Sequence, residues 1–367
     1  MTLNKHSILY TTLARALSMK RPHGTPSVDF FTQWLWQEMP LDYRHKAFLD
    51  DMDNLHIDLR VDDTNRTLFV AHVDTVHREV GANKIRKTDT HWYADGACLG
   101  ADDGAGCAML MHLIHHKIPA YYIFTQGEEC GGLGAKHLAE KHGDLLTQFD
   151  RSIAFDRRGI DSVITHQGWG RTASDVFAQA LSDALNANDK LMYLPDDTGV
   201  YTDTAEFIDH IGECTNISVG YASEHTQNES LNIAHFVALS EAVLNVKWDK
   251  LPTGRKAGEV EDKYNTLMGD GMGGGNWWGS SRGFETAAEY DTMFLLDALD
   301  DAEFGQPDEL LQQVSESVYP EDPDMALKFL DRRKITRKRI EQWRKMADTY
   351  DADTVLATVF DMIHKPA

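Results

Sequence analysis

A histidine and an aspartate stand two residues apart at the end of an apolar run. Leu68 to Val73 is apolar and β-prone, which is typical of a strand buried on both faces, and His72 and Asp74 mark its end. Residues two apart in a strand point the same way, so both side chains should project together. An imidazole beside a carboxylate suits a metal ligand with a partner that orients its ring. Alone, the motif is common, and a purely structural role is the simpler interpretation.

Acidic side chains also follow three later apolar runs, and a histidine follows them in a polar loop. One acidic pair stands in a Gly-rich turn before an apolar helix, a second follows the strand-like run 121–125, and a single aspartate ends the run that starts at Ile153. Open α/β sheets gather their sites at the carboxyl ends of their strands. We therefore expect one site built from the residues Asp102, Asp103, Glu128, Glu129, Asp156 and His225, together with His72.

This set has the content of a two-metal hydrolase. Two imidazoles and several carboxylates suit Zn²⁺, with Co²⁺ or Mn²⁺ as alternatives, and a shared carboxylate can join two cations. Such cations lower the pKa of a water and polarise the scissile carbonyl, and a nearby glutamate can move the proton.

The same residues in the same order resemble the co-catalytic zinc peptidases, which include the bacterial zinc aminopeptidases, peptidase T and relatives of carboxypeptidase G. The resemblance covers residues 55–247 and implies two bound Zn²⁺ ions. It makes Glu128 the general base and places Asp74 behind His72. It implies that the metal ligands are His72 and Asp156 on one ion, Glu129 and His225 on the other, and Asp102 between them.

Spacing favours one branch of these peptidases. The 30 positions from His72 to Asp102 are too few for an inserted domain, and the 69 positions from Asp156 to His225 are too few for a lid domain. The catalytic part therefore resembles the single-domain zinc aminopeptidases.

Five further residues are candidates for substrate binding. Thr202-Asp203 resembles the Ser/Thr-Asp motif of the aminopeptidases, which makes Asp203 a candidate acceptor for a substrate amine, as is Glu224. Tyr201 is a candidate oxyanion donor. Arg157 and Arg158 depart from the family pattern: they would bind a substrate carboxylate, or else form salt bridges to nearby acids.

These residues together predict an enzyme that releases an N-terminal amino acid from a peptide. The alternatives are a dipeptidase or carboxypeptidase and an N-acyl-amino-acid deacylase on the same site. A glutaminyl-cyclase-like transferase fits less well because those relatives work with one metal. A non-catalytic scaffold is disfavoured by the complete ligand set and Glu128.

The composition of the chain limits the classes of partner that it could bind and indicates the cell compartment. The 367 residues carry a formal net charge of −22, which argues against a general binder of nucleic acid or anionic membranes. The sequence has neither a signal-peptide pattern nor an apolar stretch long enough to span a bilayer. The four cysteines lack zinc-finger or disulfide spacing, so free thiols and a cytoplasmic location are expected.

Strand-like and helix-like segments alternate through the first 250 residues, which predicts an α/β fold: a mostly parallel mixed sheet with helices on both faces. The predicted helices include 3–20, 27–38 and 172–185. Phe30, Phe31, Trp34 and Leu35 should face inward in the second, and Val176, Ala180 and Leu185 should lie on the apolar side of the third. The predicted domains are a peptidase domain (1–250), a Gly/Trp-rich linker or loop (251–284) and a helical module (285–367).

The predicted helical module is bipolar in charge. Residues 285–324 hold thirteen acidic residues and neither Lys nor Arg, whereas residues 328–345 hold nine basic ones. Pairing between these segments, within the module or in a homo-oligomer, is the favoured interpretation, and a nucleic-acid-binding face on helix 328–345 is the alternative.

Overall fold

An eight-stranded mixed sheet is the centre of the computed structural model. The structure describes residues 5–168 and 170–259. The helices in this part are α1 (Ile8–Leu17), α2 (Pro26–Glu38), α3 (Leu41–Arg44), α4 (Ala101–His115), α5 (Leu133–Lys141), α6 (Gly143–Leu146), α7 (Asp175–Leu185) and α8 (Ile233–Val243).

The strands are short. Along the described chain they are β1 (Met19–Lys20), β2 (Ala47–Leu49), β3 (Leu55–Asp58), β4 (Thr67–His72), β5 (Gly81–Ala82), β6 (Ile85–Lys87), β7 (His91–Ala94), β8 (Tyr121–Thr125), β9 (Arg151–Arg157), β10 (Ser162–Ile164), β11 (His166–Gln167), β12 (Gly170–Arg171), β13 (Leu194–Asp196), β14 (Glu213–Ser218), β15 (Tyr221–Ala222) and β16 (Ser230–Asn232).

The strand order of the main sheet is β13-β10-β14-β9-β4-β8-β3-β2. The four central strands, β14, β9, β4 and β8, run parallel, while β3 and β2 add an antiparallel edge. A separate four-stranded sheet has the order β15-β16-β7-β6. The predicted fold class, an α/β fold with a large mixed sheet and helices, is therefore confirmed.

Two apolar clusters cover the two faces of the main sheet. In β4, Phe69 and Ala71 pack into the larger cluster with α1, α2, α4, α7 and α8, whereas Leu68 and Val70 pack into the smaller one with α5 and α6. Alternate residues of a strand point to opposite faces, so a strand covered on both sides must be apolar throughout. This explains why β4, β8 and β9 stand out in the sequence as short apolar runs.

Two details of the predicted helices are wrong. Phe30 does not face inward, because it is 53% exposed, and Phe31 is the buried residue. Val176 is 55% exposed, although Phe177 and Leu181 of the same helix are buried. Each error concerns one residue beside the apolar stripe, because Phe31, Trp34 and Leu35 of the first helix and Leu185 of the second are buried as predicted. A single-residue shift turns a helical side chain by about 100°, and the apolar residue left outside tolerates exposure.

The last described residues, 251–259, pack against the preceding part of the chain. Arg255 is buried, and its guanidinium donates to the carbonyl of Gly212 at 3.0 Å. The carboxylate of Glu213 accepts hydrogen bonds from the backbone of Gly254 and Arg255. Most of the predicted linker, the helical module and the basic helix 328–345 lie outside the described residues.

Two smaller expectations also concern this part of the chain. Cys98, Cys107, Cys130 and Cys214 form no disulfide, as predicted. Among the described helices, none combines the length and the apolar character that a membrane span requires.

Candidate metal centre

The predicted ligands meet at the carboxyl ends of the central parallel strands. In the register of β4 with β9, Val70 is opposite Ala154, so His72 and Asp156 stand at the same level two residues later. β8 lies on the other side of β4, with Thr125 opposite His72, and leads directly into the loop of Glu128 and Glu129. Asp102 lies at the start of α4. The sheet therefore brings together residues that are distant in the sequence.

His72, Asp102 and Asp156 form the first donor group. The Nε2 atom of His72 lies 2.9 Å from Oδ1 of Asp102 and 3.7 Å from Oδ1 of Asp156. All three side chains are buried. One donor atom from each lies within 4.8 Å of the others, which is close enough for all three to coordinate one cation.

Asp102, Glu129 and His225 form the second donor group by the same criterion. The Nε2 atom of His225 lies 3.1 Å from Oδ2 of Asp102 and 3.1 Å from Oε2 of Glu129. The two groups share Asp102, whose Oδ1 faces His72 and whose Oδ2 faces His225. This is the geometry of a carboxylate that bridges two cations.

Asp74 contacts His72 and also holds the loop that carries the glutamates. Its Oδ1 lies 3.6 Å from Nδ1 of His72 and accepts hydrogen bonds from the backbone of Gly127 and Glu128. Its Oδ2 accepts a hydrogen bond from the backbone of Glu129. Burial alone would raise the pKa of Asp74, but His72 and a backbone hydrogen bond lower it overall. Asp74 therefore links the strand-end histidine to the loop of Glu128.

Three residues that the sequence analysis did not assign hold Asp156 in place. The hydroxyl of Tyr221 donates to Oδ1 at 3.0 Å, and the hydroxyl of Thr202 donates to Oδ2 at 2.6 Å. The side chain of Asn216 bonds both backbone polar groups of Asp156. Tyr221 and Asn216 lie in none of the sequence motifs described above, so no sequence signal pointed to them.

Glu229 is another residue to which the sequence analysis assigned no role. Its buried carboxylate accepts hydrogen bonds from the backbone of Gly100, Ala101 and Asp102 at 2.7 to 3.2 Å. It thereby ties the loop that follows His225 to the turn that presents Asp102. The only signal in the sequence was its position four residues after His225.

The centre holds more buried carboxylates than cationic groups that could neutralise their charge. Burial, with repulsion from Asp102, raises the pKa of Glu129 to about 7. Burial also raises the pKa of Asp103, Glu128 and Asp156. Like charges held together out of water disfavour ionisation, and bound divalent cations would reverse this effect. The donor set therefore fits a pair of divalent metal ions.

Glu128 lies beside the first donor group without being part of either. Its Oε2 is 4.0 Å from Nε2 of His72. The ring of Tyr201 lies over Gly132, just beyond the glutamate pair, and its hydroxyl donates to Glu206 at 2.9 Å. Asp203 is buried and accepts a hydrogen bond from Thr125 at the end of β8, and burial raises its pKa to about 7.

Both arginines after Asp156 are held by partners in neighbouring loops. Arg157 donates to the carbonyl and the hydroxyl of Thr198, each at 3.0 Å. Arg158 forms an ion pair of 3.1 Å with Glu224. In this structure the two guanidinium groups therefore bond protein groups rather than facing the donor atoms.

Comparison with known proteins agrees with this fold. Residues 54–235 match the model of Peptidase family M28. No curated protein matches the sequence significantly.

Solved structures of similar fold include three peptidases. One is the aminopeptidase PepT from Bacillus cereus, with a TM-score of 0.52 and 16% identity over 67% of this chain and 99% of that one. A tripeptidase from Staphylococcus aureus has a TM-score of 0.53 and 16% identity over 67% and 98%. The TET1 peptidase of Pyrococcus horikoshii, which can assemble into a tetrahedron or a large octahedral shell, has a TM-score of 0.51 and 15% identity over 65% and 98%.

At these identities the structural neighbours establish the fold. Together with the match of residues 54–235 to the model of Peptidase family M28, they confirm the resemblance to the co-catalytic zinc peptidases.

Proposed function

We propose that the protein is a two-metal aminopeptidase that hydrolyses the first peptide bond of its substrate. The observation that carries the proposal is the sharing of Asp102 by two complete donor groups. Each group offers one imidazole nitrogen and two carboxylate oxygens, a donor set suited to Zn²⁺, with Co²⁺ and Mn²⁺ as alternatives.

In this proposal five residues hold the cations and leave Glu128 free to act on protons. His72 and Asp156 serve one ion, Glu129 and His225 the other, and Asp102 serves both. When bound, two such cations lower the pKa of a water and polarise the scissile carbonyl.

Glu128 is the proposed general base. It stands next to the ligands, its backbone is fixed by Asp74, and its side chain is largely shielded from solvent. A carboxylate so placed can accept a proton from the attacking water and return it to the leaving amine. Tyr201, over the adjacent glycine turn, is the proposed donor to the developing oxyanion.

The charge of the site favours a substrate with a free α-amine. The carboxylates around the donor groups attract an ammonium group and repel a carboxylate. Arg157 and Arg158, the groups best suited to grip a terminal carboxylate, are already bonded to Thr198 and Glu224. Asp203 is the proposed acceptor for the amine, because its Oδ1 atom is buried without a hydrogen-bond partner.

Three versions of one tripeptide test this proposal: the free peptide, its N-acetylated form and its C-terminal amide, each with the metal-loaded protein. We expect N-acetylation to remove most of the turnover and amidation to change it little. Loss on amidation instead would establish a carboxypeptidase or dipeptidase, and a preference for the acetylated form would establish a deacylase.

Other features of the protein stay predictions. We propose that the protein is cytoplasmic, forms a homo-oligomer and does not bind nucleic acid. We also propose that the chain divides into a peptidase domain, a linker and a helical module.

A further inference from the structure

We propose a third cation site, separate from the catalytic centre, formed by Asp50, His137 and His142. One donor atom from each of these residues lies within 4.8 Å of the others. Among the described residues this criterion selects only three groups, and the other two form the catalytic centre. The third group shares no residue with them.

The three residues come from two parts of the chain: the turn between β2 and β3, and α5 with the residue that follows it. Asp50 follows β2 in the turn that leads to β3, His137 lies in α5, and His142 follows the end of that helix. The three residues are partly exposed as a whole, but their donor atoms are shielded from solvent: the side chain of Asp50 is only 4% exposed.

The two histidines carry the strongest evidence for a missing partner. The Nε2 atoms of His137 and His142 are both buried, and neither has a hydrogen-bond partner. The two rings approach to 5.3 Å between centroids at an angle of 58°. A buried polar atom without a partner is unfavourable by about 1–3 kcal/mol, so two in contact indicate a ligand that would satisfy both.

Asp50 supplies the negative charge. Its carboxylate accepts hydrogen bonds from the backbone of Met52 and Asn54 and from the side chains of Asn54 and His56. Burial opposes ionisation, but these bonds lower the pKa of Asp50 to about 2, so the group is an anion at neutral pH. Metal-ligating carboxylates are commonly hydrogen-bonded in this way.

Two imidazoles and one carboxylate select a divalent cation of the zinc class, with water in the remaining position. Hard cations such as Mg²⁺ and Ca²⁺ prefer oxygen donors and fit less well.

The position of the site suggests what the ion would do. Asn54, in the same turn as Asp50, accepts a hydrogen bond from the backbone of Gln126 and donates to the carbonyl of Gly134. An ion between Asp50 and the two histidines would fasten this turn to α5. Through Asn54 the same turn is bonded to Gln126, which precedes Glu128. The role of the ion would be structural, with no direct contact to substrate.

Counting bound ions tests the proposal. Metal-depleted full-length protein is dialysed against Co²⁺ alone, and bound cobalt is measured by mass spectrometry. We expect His137→Gln and His142→Gln each to bind one ion fewer per chain than the unaltered protein. His210→Gln is the matched control, because His210 lies beside Gly143 but its Nε2 bonds the carbonyl of Ala139. An equal count in all four proteins would overturn the proposal.

Two further measurements separate this site from the catalytic centre and from effects on folding. Asp102→Asn should lower the count through the catalytic centre while keeping the ion that His137→Gln removes, so either site can fail without the other. Should the histidine variants fail to fold, anomalous diffraction from cobalt-soaked crystals of the unaltered protein replaces them. A peak between Asp50, His137 and His142 supports the site, and its absence where catalytic peaks are present overturns it.

Discussion

The two halves of the metal centre share Asp102 but are built from different kinds of structure. We call His72 with Asp156 the buried half and Glu129 with His225 the open half. The side chain of His72 is 1% exposed, whereas that of His225 is 48% exposed.

The buried half stands on the sheet. His72 and Asp156 belong to neighbouring parallel strands. Tyr221 and Thr202 fix the carboxylate of Asp156, and Asn216 fixes its backbone. Strands that are hydrogen-bonded on both sides hold their side chains with little freedom, so these ligands are preorganised.

The open half stands on loops. Glu129 lies in a single 3₁₀ turn between two left-handed glycines, Gly127 and Gly131, and His225 itself has a positive φ of 62°. The Oε1 atom of Glu129 is buried without a partner. Loops of this kind open at lower free energy than a central sheet. We therefore expect the open half to bind its ion less tightly and to exchange it faster.

Glu128→Gln should have the largest effect on activity. Because an amide cannot accept the proton, turnover should fall by about 10²–10⁴-fold, while both halves keep their ions. Peptide hydrolysis and metal content, measured on the same sample, check this. Glu140→Gln, at an exposed position of α5, is the matched control and should leave both unchanged. Loss of an ion in the Glu128 variant would show that Glu128 is a ligand rather than the base.

Chelation should distinguish the two halves directly. In the unaltered protein a chelator should remove one ion at least about 10-fold faster than the other, because one histidine is half exposed and the other is enclosed. His225→Ala should lack the fast phase and keep one ion, and Asp156→Ala should lack the slow phase. If Asp156→Ala removed the fast phase instead, the buried half would be the one that exchanges its ion faster, contrary to the prediction.

The two halves also differ in how far their ligands could be predicted from the sequence. A strand buried on both faces is visible as a short apolar run, and parallel strands bring their carboxyl ends to one edge, so His72 and Asp156 followed from general rules. The loop positions of Glu129 and His225 follow from no periodicity, and only the family resemblance paired them.

The supporting residues could be predicted neither from general rules of strand packing nor from the family resemblance. Tyr221 of β15 bonds Asp156 of β9 across 65 positions of the sequence, and Glu229 bonds the backbone of Asp102 across 127. Such contacts depend on loop geometry that one sequence does not specify. The one-residue errors at Phe30 and Val176 have a related cause, since apolar residues flank both helical faces there.

Tyr221→Phe should weaken the buried half selectively. The substitution keeps the ring but removes the hydrogen bond to Asp156, and loss of such a supporting bond lowers metal affinity by about 10–100-fold. We expect about 10-fold, because Thr202 still donates to the same carboxylate. Competition with a chelator of known affinity measures it, and Tyr93→Phe, at an exposed position of β7, is the control. An equal loss in the open half would contradict the separation of the two halves.

The smallest effect concerns pH and the scaffold beneath the buried half. His235 lies under Gly220, next to Tyr221, with its Nε2 atom 2.8 Å from the hydroxyl of Tyr193. Burial lowers the pKa of His235 to about 4, below the ordinary value of 6.5, so the folded protein resists its protonation. The stability that depends on neutral His235 is complete above pH 6.5 and is lost as the pH falls toward 4.

Urea unfolding of metal-depleted protein at pH 7.5 and 5.0 measures this loss. From the shift in pKa, His235 should destabilise the protein by about 1–2 kcal/mol at pH 5.0, whereas Glu129 and Asp203, whose pKa is raised to about 7, contribute stability as the pH falls. His235→Gln should reduce the destabilising contribution by that amount without abolishing it, because burial also lowers the pKa of His77 and His112 to about 4. His45→Gln, at an exposed position, should keep the full dependence. The same reduction should occur in a His225→Ala background, because His235 supports β15 and not the loop of the open half. A pH dependence that disappeared with His225 would place the acid-sensitive group in the open half and contradict this assignment.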